Sequence, residues 1–236
     1  GEWTAVLADA RPGADQRIRA AWALGILARA KTVSWGGFSD LPRDLPGPSE
    51  LPDDRIAEIA KRLAAVACDG GAGKDLRSAA LSSLSLVGPR AAPAAPALAG
   101  VLDGGDPQFR DAALYAIQTI GPGARTAGTS VLKLLEDHDP DLKIRAARIL
   151  REIGADAAPA IPVLEQLIRG ERGDAAAEEL ARHGEAGRAI LARCLRDDDP
   201  AVRASAALAL GRVPDTDREV LDAVLRNLDH PDKEVV

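Results

Sequence analysis

Apolar positions recur with a helical period in three segments that align without gaps. The segments span residues 76–88, 109–121 and 142–154, and their terminal glycines are 33 residues apart. In the middle segment, small or apolar residues occupy one helical face at Phe109, Ala112, Ala113, Ala116, Ile117 and Ile120. When this pattern of positions is shifted by 33 residues in either direction, the equivalent residues are again small or apolar, except Arg145. Such self-similarity predicts the first helices of three structural repeats.

A second apolar stripe follows each terminal glycine, after a short turn rich in proline and alanine. These stripes span residues 93–102, 128–135 and 159–168. Four prolines fall in first turns, where a helix loses no hydrogen bond to them: Pro93, Pro96, Pro159 and Pro162. The Asp-Pro pairs at 106–107, 139–140 and 199–200 predict the N-cap and first residue of each following helix. Each repeat is therefore predicted to be one helical hairpin.

The pattern extends toward both ends of the chain with more variation. Residues 17–27 resemble residues 203–213, and one unit survives only in shortened form, with helices predicted at 175–183 and 189–195 and a cap at Gly184. The predicted fold is all-α, an α-solenoid (superhelix) of about six stacked antiparallel hairpins. We expect one solenoid over residues 1–236, with units near 14–68, 75–104, 108–137, 141–170, 173–197 and 201–229, and the start of a truncated unit at 231–236. A change of curvature is expected at the shortened unit.

The composition of the chain argues against several classes of function. With 36 acidic and 30 basic residues the net charge is −6, which argues against general nucleic-acid binding. Cys68 and Cys194 form no CxxC pair, so neither a disulfide framework nor a thiolate metal site is indicated. No apolar run approaches the roughly 20 residues that span a bilayer. We expect a soluble piece of a longer protein, since Gly1 is not Met. Its localisation stays open, with the cytoplasm favoured.

No catalytic or metal-binding pattern stands out. Residues 70–75 resemble a phosphate-binding loop, but Cys68 replaces a required glycine and Asp75 the Ser or Thr that would hold magnesium. The three acidic residues at 197–199 are better explained by helix capping than by calcium binding. The chain has three histidines, His138, His183 and His230, and none of them has another ligand residue at a spacing typical of a metal site. The sequence thus predicts no catalytic residue, cofactor or metal.

Two groups of basic residues need separate interpretations. One basic residue recurs at the same place in the first helices, where we expect a structural role: Arg17, Arg77, Arg110, Lys143 and Arg203. The terminal glycines Gly88, Gly121 and Gly154 are expected to form left-handed helix caps. On or beside the second helix of the shortened unit lie Arg188, Arg193 and Arg196. These three are the candidate contact for an acidic partner, with a solvated face as the alternative.

Residues 31–53 interrupt the first unit. This segment contains Trp35 and Phe38 beside a Gly-Gly pair, followed by four prolines, and such a density of proline favours an extended loop. Loops of this length in compact domains are usually functional or disordered. Two interpretations stay open: Trp35 and Phe38 cover the end of the solenoid, or they bind a partner.

The repeat resembles a known family. Asp-Pro, a basic residue, an Ala-rich helix ending in Leu-Gly or Ile-Gly, and a Pro- and Ala-rich second helix are similar to HEAT repeats, most closely to the bacterial group that includes phycobilin-lyase-like repeats. The resemblance covers nearly the whole chain except residues 31–53. It implies helix pairs stacked in a curved ribbon, with second helices lining the concave side. It also implies that the recurring arginine pairs with an aspartate of its own or the adjoining unit.

The leading functional hypothesis is a non-catalytic scaffold or adaptor that binds a protein, or other domains of its parent chain. The resemblance implies an alternative, bilin-lyase-like chromophore attachment or a chaperone activity. A third hypothesis follows the HEAT-like alkylpurine DNA glycosylases, which bind nucleic acid. That function needs a basic face with aromatic residues, and this chain has only three Trp, two Phe and one Tyr.

Overall fold

The computed structural model describes residues 2–8, 13–28, 51–104 and 106–213. All regular structure within these ranges is helical, and they contain no strand, which confirms the predicted all-α solenoid class. Most of the 31–53 insertion, with Trp35 and Phe38, lies outside the described residues. Residues 214–236, which carry the second half of the last predicted unit and the start of a truncated one, also lie outside them.

Short helices alternate with tight turns along the described chain. Two 3₁₀ turns, Gly88–Ala94 and Gly121–Ala127, connect helices within hairpins, and a third 3₁₀ segment spans Leu134–Glu136. In chain order the α-helices are α1 (Glu2–Ala8), α2 (Ala14–Ala28), α3 (Asp53–Cys68), α4 (Lys74–Val87), α5 (Ala95–Asp103), α6 (Pro107–Ile120), α7 (Gly128–Lys133), α8 (Pro140–Glu152), α9 (Ala160–Leu167), α10 (Gly173–Ala181), α11 (Gly184–Cys194) and α12 (Pro200–Gly211). None of these helices combines the length and apolar character that crossing a membrane requires.

The helices belong to two compact units. The first comprises Gly1–Val131 with Glu152–Ala155, and the second comprises Leu132–Arg151 with Asp156–Val236. In the first unit, first helices pack on first helices (α2 on α4, α4 on α6) and second helices on second helices (α3 on α5). In the second unit α10 packs on α12, and α11 contacts α9, α10 and α12. The division into six repeat units over a single solenoid stays a prediction.

The Asp-Pro pairs start helices as predicted. Asp106 accepts a hydrogen bond from the backbone N–H of Gln108 at 3.1 Å, and Asp199 accepts one from Ala201 at 2.9 Å. Asp139 does the same for Asp141 at 2.9 Å. Each cap satisfies a backbone donor that has no partner inside the helix, a contribution of about 1 kcal/mol.

The glycines at the ends of the first helices all have positive φ, but two of them do not have the predicted left-handed cap geometry. Their φ angles are 63° at Gly88, 67° at Gly121 and 67° at Gly154. At Gly88 and Gly121 ψ is −138° and −137°, close to a region that essentially only glycine adopts. The left-handed cap was therefore wrong in ψ at these two positions. The physical reason is that the chain enters a 3₁₀ turn immediately instead of closing a left-handed turn.

Alanine and aliphatic side chains form the core that the sequence stripe predicted. In α6 the buried face includes Phe109, Ala113, Ala116, Ile117 and Ile120, all fully inaccessible to solvent. Phe109 is the largest fully buried side chain among the described residues. Small residues on this face let neighbouring helix axes approach closely, which is why a chain with few aromatics still packs thin helical layers.

The shortened hairpin differs from its prediction. Helix α10 spans Gly173–Ala181 and α11 spans Gly184–Cys194, so Gly184 opens the second helix instead of capping the first. Gly184 has φ of 71°. Two residues, Arg182 and His183, connect the helices. A Cβ atom on Gly187 would overlap the carbonyl oxygen of Leu180, so this tight hairpin depends on glycine at 187.

Gly187→Ala is expected to destabilise the protein by about 2 kcal/mol, because the added methyl overlaps the α10 backbone and the two helices must separate. Gly100 in α5 provides the matched control, since nothing lies within 4 Å of a Cβ built there. Gly100→Ala should raise stability by roughly 0.5 kcal/mol through helix propensity. Urea unfolding followed by far-UV circular dichroism measures both. Equal stability of the two variants would contradict the close contact.

Candidate functional site

The recurring arginines Arg17 and Arg77 bind backbone carbonyls at the end of the preceding helix, and Arg203 binds carbonyls of the turn that precedes its own helix. Arg17 donates from Nη2 to the Leu7 carbonyl at 3.4 Å, and Arg77 donates from Nε to the Ala67 carbonyl at 3.0 Å. Arg203, only 7% exposed, donates from Nη1 to the carbonyls of Asp197 and Asp198 at 2.9 and 3.0 Å. The last carbonyls of a helix have no partner inside it and carry partial negative charge, so a guanidinium satisfies them well.

Arg77 also links its hairpin to the next one. Its guanidinium lies 3.9 Å from the centroid of the Phe109 ring, and its Nη1 lies 3.9 Å from Oδ2 of Asp106. The contact with Asp106 has the form that the family resemblance implies, an arginine beside an aspartate of the adjoining unit. Arg110 in α6 and Lys143 in α8 occupy the equivalent position and are half-buried.

In the second unit, further side-chain pairs join residues about one repeat apart. Arg193 donates to Glu165 at 3.0 Å, Arg169 donates to Asp197 at 2.7 Å, and both pairs link residues 28 positions apart in sequence. Ser205 donates to Asp174 at 2.6 Å and Arg172 donates to Asp141, each over 31 positions. Exposed ion pairs of this kind contribute little individually. As a set they fix how one hairpin lies on the next.

The strongest of these connections surrounds a buried carboxylate. Glu179 in α10 has no exposed side-chain area, and it accepts from Nε of Arg148 at 3.3 Å and from Nε of Arg151 at 3.0 Å, both in α8. Arg182 lies 3.7 Å from the same carboxylate, and Nε2 of His183 lies 3.6 Å from it with a side chain only 3% exposed. Four cationic or titratable groups thus face one buried acid.

The electrostatic environment of Glu179 keeps it ionised. Burial alone would raise the pKa of this carboxyl, but His183, Arg151 and Arg148 outweigh burial and hold the pKa below its ordinary value of 4.5. A buried charge costs free energy unless it is paired and hydrogen-bonded. Glu179 therefore acts as a structural anion that requires α8 and α10 to stay together.

A surface pocket lies between the α10–α11 turn and the end of α12, within the second unit. Its volume is about 450 Å³. Three guanidiniums line it, from Arg182, Arg188 and Arg212, together with Glu178 and a wall that includes Gly184. Arg212 forms an ion pair with Glu178. Arg188 makes no ion pair or hydrogen bond with any residue that the structure describes, so the pocket has an excess of positive charge.

The structure separates the three arginines that the sequence grouped as a partner contact. Arg188 faces the pocket. Arg193 and Arg196 are exposed on another side of α11 and just after it, and Arg193 is engaged by Glu165. Arg182 and Arg212 complete the pocket but were not predicted. Their only sequence signal was position, since each follows the end of a first helix.

The two cysteines are ordinary thiols. Cys68 is exposed and its Sγ donates to the Ala97 carbonyl at 3.3 Å, whereas Cys194 is buried. Burial raises the pKa of both thiols, and at Cys194 the nearby Asp197 and Glu165 carboxylates raise it further. Neither side chain is activated as a thiolate nucleophile at neutral pH. Among the described residues, no group of three His, Cys, Asp or Glu side chains is placed to hold a metal ion.

Glu179→Gln is expected to lower stability by about 2 kcal/mol at neutral pH, because it removes the charge that Arg148 and Arg151 compensate. Those arginines are 44% and 31% exposed, so solvent limits the loss. Glu165→Gln is the matched control, since Glu165 is 43% exposed in its pair with Arg193, and it should cost less than about 1 kcal/mol.

The effect of Glu179→Gln should also depend on pH. Because the folded-state pKa of Glu179 is lowered, its stabilisation is complete above the unfolded value near 4.5 and is lost as pH falls through the folded value. Urea midpoints of wild type and variant should therefore converge below pH 4.5. If the difference between the two urea midpoints stayed constant down to the pH at which Glu179 is fully protonated, the result would contradict a stabilising ion network around Glu179.

Comparison with known proteins is consistent with this architecture. The chain is similar over 94% of its length to the crystal structure of an engineered protein, covering 98% of that chain with 17% identity and a TM-score of 0.51. It is also similar to the complex of CpcE and CpcF of phycocyanin lyase from Nostoc sp. PCC7120, over 99% of this chain and 89% of that chain, with 20% identity and a TM-score of 0.50. At these identities the likeness shows the fold alone.

No curated protein sequence matches the chain. The family model described as HEAT repeats matches residues 173–236, which include the shortened hairpin, the arginine pocket and α12. The match to HEAT repeats thus covers the part of the chain that contains the pocket, and the fold over nearly the whole chain is similar to that of helical-repeat proteins.

Proposed function

We propose that this chain is a non-catalytic scaffold that binds a protein partner or another domain of its parent chain. HEAT repeats typically mediate protein interactions, and the helical repeats of this chain provide such a framework. The observation that carries the proposal is the set of side-chain contacts between residues one repeat apart. These contacts make neighbouring hairpins a pre-organised surface, which lowers the entropy lost on binding.

The chemistry of the described side chains supports a binding role. The most perturbed acid, Glu179, is consumed by a structural ion network, and both thiols are held in their protonated form. Arg188 lines a surface pocket, and its side chain has no hydrogen-bond or ion-pair partner among the described residues. Surface arginines without internal partners are typical anchors in protein interfaces.

The alternative function is attachment of a bilin chromophore. It is favoured by one observation, the likeness in fold to the phycocyanin lyase complex over nearly the whole chain. Fold likeness does not assign an activity by itself. The two functions are distinguishable, because a lyase forms a covalent visible adduct between a bilin and an acceptor polypeptide, whereas a scaffold forms only non-covalent complexes.

Reciprocal affinity capture tests the scaffold proposal. The tagged chain and a variant lacking residues 31–52, which ends before α3, are cross-linked in extract of the native host, and captured proteins are then used as bait in return. We expect a partner that captures the chain reciprocally. Retention by the deletion variant would place the contact on the described hairpins, and loss would place it on the insertion.

Two results would contradict the proposal. One is the absence of any reciprocal partner for both forms of the chain. The other is a covalent bilin adduct on an acceptor polypeptide, formed in the presence of the chain and missing without it. An unrelated acidic protein with the same tag serves as the control for capture by charge alone.

A further inference from the structure

Turn length sets the space between neighbouring hairpins. In the first unit, the seven-residue 3₁₀ turns Gly88–Ala94 and Gly121–Ala127 contact each other. A Cβ atom on Gly123 would lie 2.7 Å from Cβ of Ala92, so these turns pack without room for a larger side chain. Long turns of glycine, proline and alanine therefore fill the edge of these repeats.

Among the residues that the structure describes, none fills that space at the shortened hairpin. Only Arg182 and His183 connect α10 to α11, and the close approach of Gly187 to the Leu180 carbonyl keeps the turn tight. The pocket of about 450 Å³ lies beside this turn and the end of α12. The shortened unit of the sequence therefore corresponds to a hairpin without a 3₁₀ turn, and a concave site lies beside this hairpin.

Positive charge converges on this space from two hairpins. Arg182 and Arg188 come from the α10–α11 hairpin, and Arg212 comes from the residue that follows α12. Two of these charges have an acidic neighbour, because Arg212 pairs with Glu178 and Arg182 lies 3.7 Å from the Glu179 carboxylate, whereas Arg188 has none among the described residues. Each guanidinium carries five donors in a planar fork that matches a carboxylate, so donors remain on all three side chains.

The walls of the pocket also include a helix start and apolar side chains. Helix α11 begins at Gly184, one of the lining residues, and the first N–H groups of a helix favour negative charge. Ala181, Ala209 and Val213 contribute the apolar part of the lining. Apolar walls suit the methylene stem of a glutamate side chain, whereas a free inorganic anion gains nothing from them. Nucleic acid is disfavoured by the net charge of −6.

We infer that the pocket lined by Arg182, Arg188 and Arg212 binds glutamate side chains of an acidic segment in the protein partner. This inference rests on the proposed scaffold function and names the partner chemistry. Arg188 supplies the guanidinium that has no partner among the described residues. Arg182 and Arg212 hold the remaining carboxylate oxygens, and Ala209 and Val213 contact the side-chain stem.

Fluorescence anisotropy with fluorescein-labelled hexaglutamate at low ionic strength tests this inference. Wild type should raise the anisotropy of labelled hexaglutamate. The anisotropy of labelled hexalysine should stay at the value that it has in buffer alone. Arg188→Glu should weaken hexaglutamate binding at least tenfold, equivalent to about 1.4 kcal/mol. Arg196→Glu is the matched control, because this substitution makes the same charge change close to the same helix. Arg196 lies outside the pocket, and its side chain has no partner among the described residues. It should weaken binding less than about threefold.

Folding of both variants is checked by thermal unfolding, and we expect no loss for Arg188→Glu, since this side chain makes no hydrogen bond or ion pair with the described residues. If Arg188→Glu unfolds early, Arg188→Gln, which removes the charge without reversing it, takes its place in the binding comparison. Equal weakening by the Arg188 and Arg196 variants, or no hexaglutamate binding by wild type, would overturn the inference. Displacement of the peptide by an equal concentration of inorganic phosphate would also overturn it, in favour of a free oxyanion.

The capture experiment separates this inference from the scaffold proposal. A reciprocal partner that binds wild type and Arg188→Glu equally well would overturn the pocket assignment and leave the scaffold function standing. Loss of that partner in Arg188→Glu, with retention in Arg196→Glu, is the result that supports both.

Discussion

The buried carboxylate of Glu179 is the constraint on which the second unit depends. An ionised acid without solvent exposure is stable only while its partners stay in place. Those partners come from α8 as well as from its own hairpin, so α10 cannot shift along α8 without stranding a charge. Apolar packing alone would tolerate small slips between layers of alanine and leucine. The ion network instead selects one register, and the outer pairs, such as that of Arg193 with Glu165, reinforce it.

Glycine sets the second constraint, which shapes the candidate site. The missing side chain at Gly187 lets α11 lie against the end of α10, and Gly173 allows a similar approach to the Ile168 carbonyl. The Gly187 contact belongs to the two-residue connection between α10 and α11, where the hairpins of the first unit have seven-residue 3₁₀ turns. The pocket exists because the backbone is tight there and the space beside it is lined by long arginine side chains. Fixed register and local shortening together leave an arginine-lined pocket at the surface of the second unit.

Local features of the sequence predicted the helices well. The stripe through Phe109 and Ile117 marks a buried face because periodicity reports directly on burial, and Asp106-Pro107 marks a helix start because capping is a contact between near neighbours. The ψ angle of Gly88 was missed, since the glycine alone does not reveal that a 3₁₀ turn follows. The start of α11 was missed because Gly184 and Gly187 look like turn residues unless their close contacts are known.

The candidate site was harder to predict because it depends on distant residues. Glu178 and Glu179 are neighbours in sequence but lie in different environments. Glu178 lines a surface pocket, whereas Glu179 is fully buried. That difference is decided by arginines 28 and 31 positions away. Arg188, Arg193 and Arg196 formed one group by proximity, yet helical geometry places Arg188 on a different side. The roles of Trp35 and Phe38 stay predictions.

The central claim is that the ion network around Glu179 couples neighbouring hairpins, and hydrogen exchange followed by mass spectrometry measures this coupling most directly. Amide protection is compared between wild type and Glu179→Gln for peptides that cover α8 and α10. Coupling predicts that protection falls in both helices, because α8 loses the anion that its arginines bind. Loss of protection confined to α10, with α8 unchanged, would contradict the account.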